Sequence, residues 1–404
     1  MKIVHITTTQ TGGAALAAHR LHRSLIDQGV DSRMLTLDED SNDNLAVCYK
    51  PTFALQNSKI LKSILYRLGI GIGRFWKMHD EARKGHECQY TYPVSLYRVE
   101  NHPLIKWADV IHLHLCDDFI NYPSFFKKIK KPIVWTLHDI GIGYGGFHYK
   151  NDYDALLPYF ESLEKEFCRI KRETLSIVNN LSIVSLSQEM YNFTKTIDYI
   201  ADKPNRIIYN SVDTNTFIMK DRSESRERLH LPQDKTILLF ICENVHTKSK
   251  GLEVLKECIE TFDKQDIILS VVGNYDPDIT KKDKIETLYF GKITDYELLS
   301  SIYSAADFLV VPSSQEVCPQ TPLESMACGT PVVVFPTGAM KEYVHPEQGI
   351  VCSDCSLQAL KAGLNKALQH HYDRNAIREY VYNNFSPTKI ANMHIDLYES
   401  ILKQ

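Results

Sequence analysis

PSSQEVCPQTPLESMACGTPVVV, residues 312–334, is the stretch whose reading decides the fold. Leu309-Val310-Val311 before it reads as the end of a buried strand, which Pro312-Ser313-Ser314 breaks. Thr321, Pro322 and Glu324 fall at the N-cap, first and third positions of a helix. That is the spacing of a capping box, with proline where its missing N–H costs nothing. Gly329 ends the helix, and Pro331 leads into the next apolar strand. Glu316 in the loop and Glu324 at the helix start, with seven residues between them, therefore converge at the carboxyl edge of a parallel strand. Open α/β sheets bind ligands at that edge. Helix-start amides suit a phosphate, and carboxylates accept hydrogen bonds from sugar hydroxyls. On the purely structural alternative, Glu324 only caps its helix and Glu316 is a solvated loop residue.

Outward from this run, strand and helix patterns alternate along the chain, which favours parallel sheets covered by helices. A first series of strands is predicted at 2–8, 32–37, 110–115, 132–138, 181–186 and 206–209, with a helix over 14–28 opened by Gly12-Gly13. A second series runs through 236–242, 267–273, 287–291, 308–311 and 332–335. The polar stretch 215–234 reads as the linker, and an amphipathic helix over 390–402 ends the chain. The expected class is α/β, with one Rossmann-like domain over 1–214 and a second over 215–387.

Composition agrees and narrows the function. A chain of 404 residues with 44% hydrophobic content exceeds a usual single core. Two domains of roughly 200 residues are the prior. A net charge of −4 argues against a general nucleic-acid binder. No apolar run approaches the ~18 residues of a membrane span. MKIVHITTT at the N-terminus is a strand without a signal peptide's architecture. The ten cysteines are scattered, several inside apolar patterns, as reduced thiols are. Cys352 and Cys355 form a CxxC that no second pair answers, so a zinc reading is weak. A cytoplasmic location follows.

The 312–334 run closely resembles the nucleotide-sugar site of retaining glycosyltransferases with the GT-B fold, in particular glycosyltransferase family four. That pattern is a glutamate, seven residues, a second glutamate, a small-residue helix and Cys-Gly-Thr-Pro-Val-Val. The resemblance implies that Glu316 contacts the donor hexose hydroxyls and Glu324 the ribose hydroxyls. Thr321, Pro322 and Leu323 would line the donor at the helix start. Asn210-Ser211-Val212-Asp213 and Phe217 match the family's inter-domain Asn-Gly-Val-Asp…Phe, with Ser211 in place of glycine. Also implied are two domains facing a cleft and a last helix, 388–404, that crosses back to the N-terminal domain. The donor is then a nucleoside-diphosphate sugar, with UDP or GDP, and neither metal nor further cofactor is needed.

Further positions are read first from chemistry and then from this resemblance. Gly12 and Gly13 form a tight strand-to-helix turn, which the family uses to face the donor phosphates. His138-Asp139 ends an apolar strand before a glycine-rich loop, a ligand-site arrangement. The family's Thr-x-His places His138 against the donor sugar. Asp139, Tyr144, Gly145, Gly146 and His148 would form the acceptor loop, and Phe147 stands where a subgroup has cysteine. Lys250 in Lys-Gly, at a helix start, would neutralise the diphosphate. An arginine usual several residues earlier is replaced by Cys242-Glu243-Asn244, and Lys248 is the candidate second cation. Gly338 and Glu342 resemble a Gly-Gly-x-x-Glu turn with Ala339 as its second member. His112 and His114 share a strand face without a carboxylate or cysteine to complete a metal set, and read as structural.

Between residues 50 and 87 lie eight basic residues (Lys50, Lys59, Lys62, Arg67, Arg74, Lys77, Arg83, Lys84) and three acidic ones (Asp80, Glu81, Glu87). Ile60, Leu61, Ile64, Leu65 and Leu68 interleave at helical spacing, with Phe75-Trp76 beyond. This describes either a surface that rests on anionic lipid at the inner face of the cytoplasmic membrane, or a core-facing helix with a solvated basic side. The resemblance implies hexose transfer to a hydroxyl of a glycan or lipid-linked acceptor in bacterial surface-polysaccharide assembly (O-antigen, capsule or exopolysaccharide). A nucleotide-sugar epimerase on the same fold, or a catalytically silent partner in an assembly complex, are the alternatives.

Overall fold

The computed structural model describes every residue except 38–45, 52–57, 84–87, 263–265, 277, 279–283 and 404. The chain divides into two compact units, Met1–Ile208 with Ala391–Gln404, and Tyr209–Ile390.

The first unit holds β1 (Lys2–Thr7), β2 (Asp31–Thr36), β3 (Ala46–Cys48), β4 (Val110–Leu113), β5 (Ile133–Leu137), β6 (Leu181–Ser185) and β7 (Asn205–Ile207). Its helices are α1 (Gly13–Asp27), α2 (Lys59–Leu68), α3 (Ile72–Ala82), α4 (Pro103–Trp107), α5 (Tyr122–Lys128), α6 (Lys150–Leu175) and α7 (Gln188–Lys195). The strands form one parallel sheet in the order β3-β2-β1-β4-β5-β6-β7. VIHL, IVWTL and LSIVS are buried along their whole length, as strands covered on both faces are.

The second unit holds α8 (Arg222–Arg228), β8 (Thr236–Asn244), α9 (Leu252–Ile259), β9 (Ile267–Asn274), β10 (Thr287–Gly291) and α10 (Tyr296–Ala305). It continues with β11 (Phe308–Val311), α11 (Gln320–Ala327), β12 (Val332–Val334), α12 (Met340–Tyr343), β13 (Gly349–Val351), α13 (Leu357–Leu368) and α14 (Arg374–Phe385). Its parallel sheet runs β10-β9-β8-β11-β12-β13. The last helix, α15 (Pro387–Leu402), gives its residues from Ala391 onward to the first unit.

Both units are Rossmann-like, and the predicted strands are all present. The edge strands β3 and β13, three residues each, are too short to show a period in sequence.

The stretch 215–234 is not a linker. It contains α8, which delivers the guanidinium of Arg226, 1% exposed, into the second unit. Arg226 donates to the carbonyls of Ala305, Gln233 and Lys235 at 2.9, 3.0 and 3.1 Å and to Asp307 Oδ2 at 2.7 Å. A buried charge is tolerated because each guanidinium nitrogen has an acceptor, one of them a carboxylate. The polar composition belongs to a surface helix built around that one buried arginine.

The core-facing alternative for the basic run does not hold for α2. This helix is capped by Ser58, whose side chain accepts from Leu61 N, and it buries no residue. Ile60 is 73% and Leu68 64% exposed. Its neighbour α3 does pack, through Phe75 and Met78, on the aromatic cluster of Tyr90, Phe147, Phe160 and Phe167. Lys84 and Glu87 lie outside the described residues. No described helix is long and apolar enough to cross a membrane.

Candidate functional site

Strand order reverses beside β8 in the second unit, so β8 and β11 flank the switch point where open sheets bind ligands. From β8 the chain passes through a 3₁₀ turn, Lys248–Lys250, into α9 at Gly251. Gly251 has φ +81°, and a Cβ there would meet Pro312 O at 2.2 Å. Glycine is therefore required for this turn to press against the exit of β11. Ser314 N donates to Ser249 O at 2.8 Å and fixes the approach. The result is an ion pair: Lys250 Nζ lies 2.6 Å from Glu316 Oε1, the lysine 34% and the carboxylate 12% exposed. Lys250 thus occupies the 3₁₀ turn ahead of α9, not that helix's first turn. Lys248, two residues earlier, is exposed.

The expected capping box is absent. α11 starts at Gln320 with Pro319 at its N-cap and no side-chain cap bond, so Thr321 already lies inside the first turn. Glu324 instead accepts from Tyr303 Oη at 3.0 Å and is 7% exposed. Pro322 and Leu323 are buried, and Thr321 is half-buried. Gly338, at φ +54°, lets its turn lie on the Glu316 loop, where a Cβ would come within 2.5 Å of the Glu316 and Val317 carbonyls. Ala339 N donates to Val317 O at 2.8 Å, so that amide is committed to holding the loop. Glu342 Oε2 accepts from Tyr209 Oη at 2.9 Å.

In the first unit, Gly12 is the N-cap of α1 at φ +87°, and a Cβ at Gly12 or Gly13 would meet nothing described within 4 Å. His138 follows β5 directly. Its Nε2 lies 3.1 Å from His114 Nδ1, whose own Nε2 lies 2.9 Å from His5 Nδ1. His112, opposite His5 in the sheet register, stacks on His114 with ring centroids 4.2 Å apart. Asp139 Oδ1 accepts from Gly141 N and its Oδ2 from His148 Nδ1 at 2.7 Å, and His148 is 1% exposed. Glu164 on α6 holds the loop from beneath, accepting from Gly145 N at 2.8 Å and Gly146 N at 2.6 Å. Lys171 donates to the carbonyls of Gly141 and Tyr144. Phe147 anchors the loop in the aromatic cluster, 4.9 Å from the Tyr90 ring. The Tyr144 ring packs 4.4 Å from that of Tyr153.

Sequence reasoning missed Tyr303, Glu164, Lys171 and His5. A histidine inside an apolar strand was a visible signal for His5. The other three read as ordinary helix residues.

Residues 221–384 match the family model for glycosyl transferases group 1. An uncharacterized glycosyltransferase of Methanocaldococcus jannaschii is 24% identical over 374 residues, 78% of this chain and 90% of its own. A D-inositol 3-phosphate glycosyltransferase of Xylanimonas cellulosilytica is 24% identical over 356 residues, 83% of this chain and 78% of its own. Among solved structures, the Anabaena protein HepE in complex with UDP and glucose aligns at a TM-score of 0.66. That likeness covers 99% of this chain and 100% of the other at 16% identity, and bears on the fold alone. The family match thus falls within the second unit, and the likeness to solved structures is one of fold.

Burial sets the protonation of the histidines. It lowers His5, His112 and His114 well below their ordinary value, each further disfavoured by neighbouring histidines. It takes His138 down to about 4, against the pull of Asp139, and His394 on α15 to about 3. Burial also works against charge on His148, but the Asp139 carboxylate outweighs it and raises that pKa. The five lowered groups bind fewer protons folded than unfolded. Their stability is therefore complete above about pH 6.5 and is lost as pH falls below it. His148, raised by Asp139, and the Asp118 carboxyl, pushed up to about 7 by burial, oppose the trend. At roughly 1.4 kcal/mol per histidine per pH unit, urea midpoints are expected to fall steeply between pH 7.5 and 5.5. Equal midpoints at the two values would contradict the neutral cluster.

Proposed function

We propose, taking the group 1 glycosyltransferase match of the second unit as premise, that this chain moves a hexose from a nucleoside-diphosphate sugar to a hydroxyl. The acceptor is a glycan or lipid-linked glycan of a bacterial surface polysaccharide, and the anomeric configuration is retained. The observation that carries this reading is the Lys250–Glu316 pair at the carboxyl ends of the two strands flanking the switch point, with Glu324 buried at the start of the next helix.

Without ligand, the lysine and the carboxylate satisfy each other. An arriving diphosphate competes for Lys250, and Glu316 exchanges the lysine for sugar hydroxyls, so donor binding swaps one set of charge-assisted hydrogen bonds for another. Breaking the sugar–phosphate bond then builds negative charge on the diphosphate. Lys250 and exposed Lys248 meet that charge, and preorganised charge of this kind is often the largest catalytic term. Glu324 receives the ribose hydroxyls. Carried over from the family resemblance, His138 and the Gly12-Gly13 turn face the sugar, and the leaving phosphate takes the acceptor proton. This route uses no metal. The nucleotide is UDP or GDP, as the family resemblance implies.

Lys250→Ala is expected to fold normally yet lose at least ~10²-fold in turnover, in line with deletions of oxyanion donors. Near-normal turnover in that variant would remove the leaving-group role.

The exposed face of α2 supports a peripheral association with anionic membrane. Ile60, Ile64 and Leu68 are exposed beside Lys59, Lys62 and Arg67, a combination that suits an acidic lipid surface. The protein is expected to float with vesicles rich in anionic phospholipid, and Lys59→Glu, Lys62→Glu, Arg67→Glu together to abolish flotation. No binding by the unmodified protein would end this part of the reading.

A further inference from the structure

We infer that His114, backed by His5, is a positioning residue that holds His138 in one tautomer. The three imidazoles form a chain: His5 Nδ1 to His114 Nε2 at 2.9 Å, then His114 Nδ1 to His138 Nε2 at 3.1 Å. Burial keeps all three rings uncharged near neutral pH. A neutral imidazole has one N–H and one lone pair, so each contact needs one proton and each ring supplies one. Only two proton orders satisfy both contacts. In one, every ring carries its proton on Nδ1 and His138 presents a donor on the nitrogen that the chain does not use. In the other, every proton is on Nε2 and His138 presents an acceptor there. A single ring cannot change tautomer without breaking a contact, and the middle ring is 3% exposed, so a broken contact there leaves a buried polar atom unpaired.

A metal held by the same cluster fits less well. One nitrogen each of His5, His112 and His114 lie within 4.8 Å of one another. Yet both nitrogens of His112 are bonded, Nδ1 to Tyr398 Oη at 2.6 Å and Nε2 to Thr136 Oγ1 at 2.8 Å. The His112 and His114 rings also lie face to face, 28° from parallel. His5 Nε2, buried and without a partner among the described residues, closes the chain at its inner end.

This deepens the proposed function by tying the hydrogen-bonding sense of His138 toward a sugar hydroxyl to the proton order of the rings behind it, but its test needs no substrate. Full-length protein labelled with ¹⁵N-histidine is observed at pH 7.5, and His138 is assigned by the loss of its signals in His138→Gln. The expected result is one pyrrole-type and one pyridine-type nitrogen on His138, well separated. In His114→Phe, whose folding is checked by its melting curve, the two signals are expected to move toward their mean as the tautomers interconvert. His5→Leu serves as the second variant should His114→Phe not fold. Averaged His138 nitrogens in the unmodified protein, or signals unchanged in the variants, would overturn the inference. So would one equivalent of zinc that is lost in His5→Leu. Loss of transferase activity alone would leave these spectra as they are, so the two readings fail separately.

Discussion

The second unit's site rests on how closely two pieces of backbone pass. Gly251 and Pro312 approach to a distance that leaves no room for a side chain, and only a residue free to adopt a left-handed φ can make that turn. The approach ties the loop after β8 to the loop after β11, the two strands beside the switch point. Lys250 and Glu316 meet because of it. A second close approach, Gly338 on the Glu316 carbonyl, holds the same loop from the other side. Parallel strand order supplies the place, and two glycines supply the precision.

The two units handle charge differently. In the second, opposite charges are brought together where water still reaches the lysine, an arrangement that an anionic ligand can reopen. In the first, the loop after β5 is fastened by fully buried groups whose partners are backbone amides and carbonyls, through Glu164 and Lys171. The histidines beside it are kept neutral by burial. One set of groups is placed to exchange partners and the other to hold shape, a division that suits the proposed admission and release of a charged donor.

Much of this was legible in the sequence because it is local. Apolar runs of strand length, turn glycines and the spacing of Glu316 and Glu324 gave the alternating architecture and the strand edge. What was not legible depends on long-range packing. Arg226 looked like one more charge in a polar linker until Asp307, 81 residues away, and the carbonyls of Ala305, Gln233 and Lys235 surrounded it. Glu324 had the spacing of a capping residue, but the helix begins earlier and Tyr303 takes its oxygen. Glu164 and Lys171 carry no local sign that their partners are the amides and carbonyls of a loop some 20 to 30 residues upstream. The apolar face of α2 had a helical period, and period alone does not say whether that face is covered.

The central claim is that the second unit holds an activated sugar at Glu316, Glu324 and Lys250. Unfolding of the unmodified chain and of Glu324→Ala, followed in the presence of UDP-, GDP- and ADP-sugars, tests it most directly. One donor is expected to stabilise the unmodified chain by about 2.7 kcal/mol at ~100 times its dissociation constant and to leave the variant nearly unmoved. Stabilisation by none of these sugars, or equal stabilisation of both chains, would contradict the account.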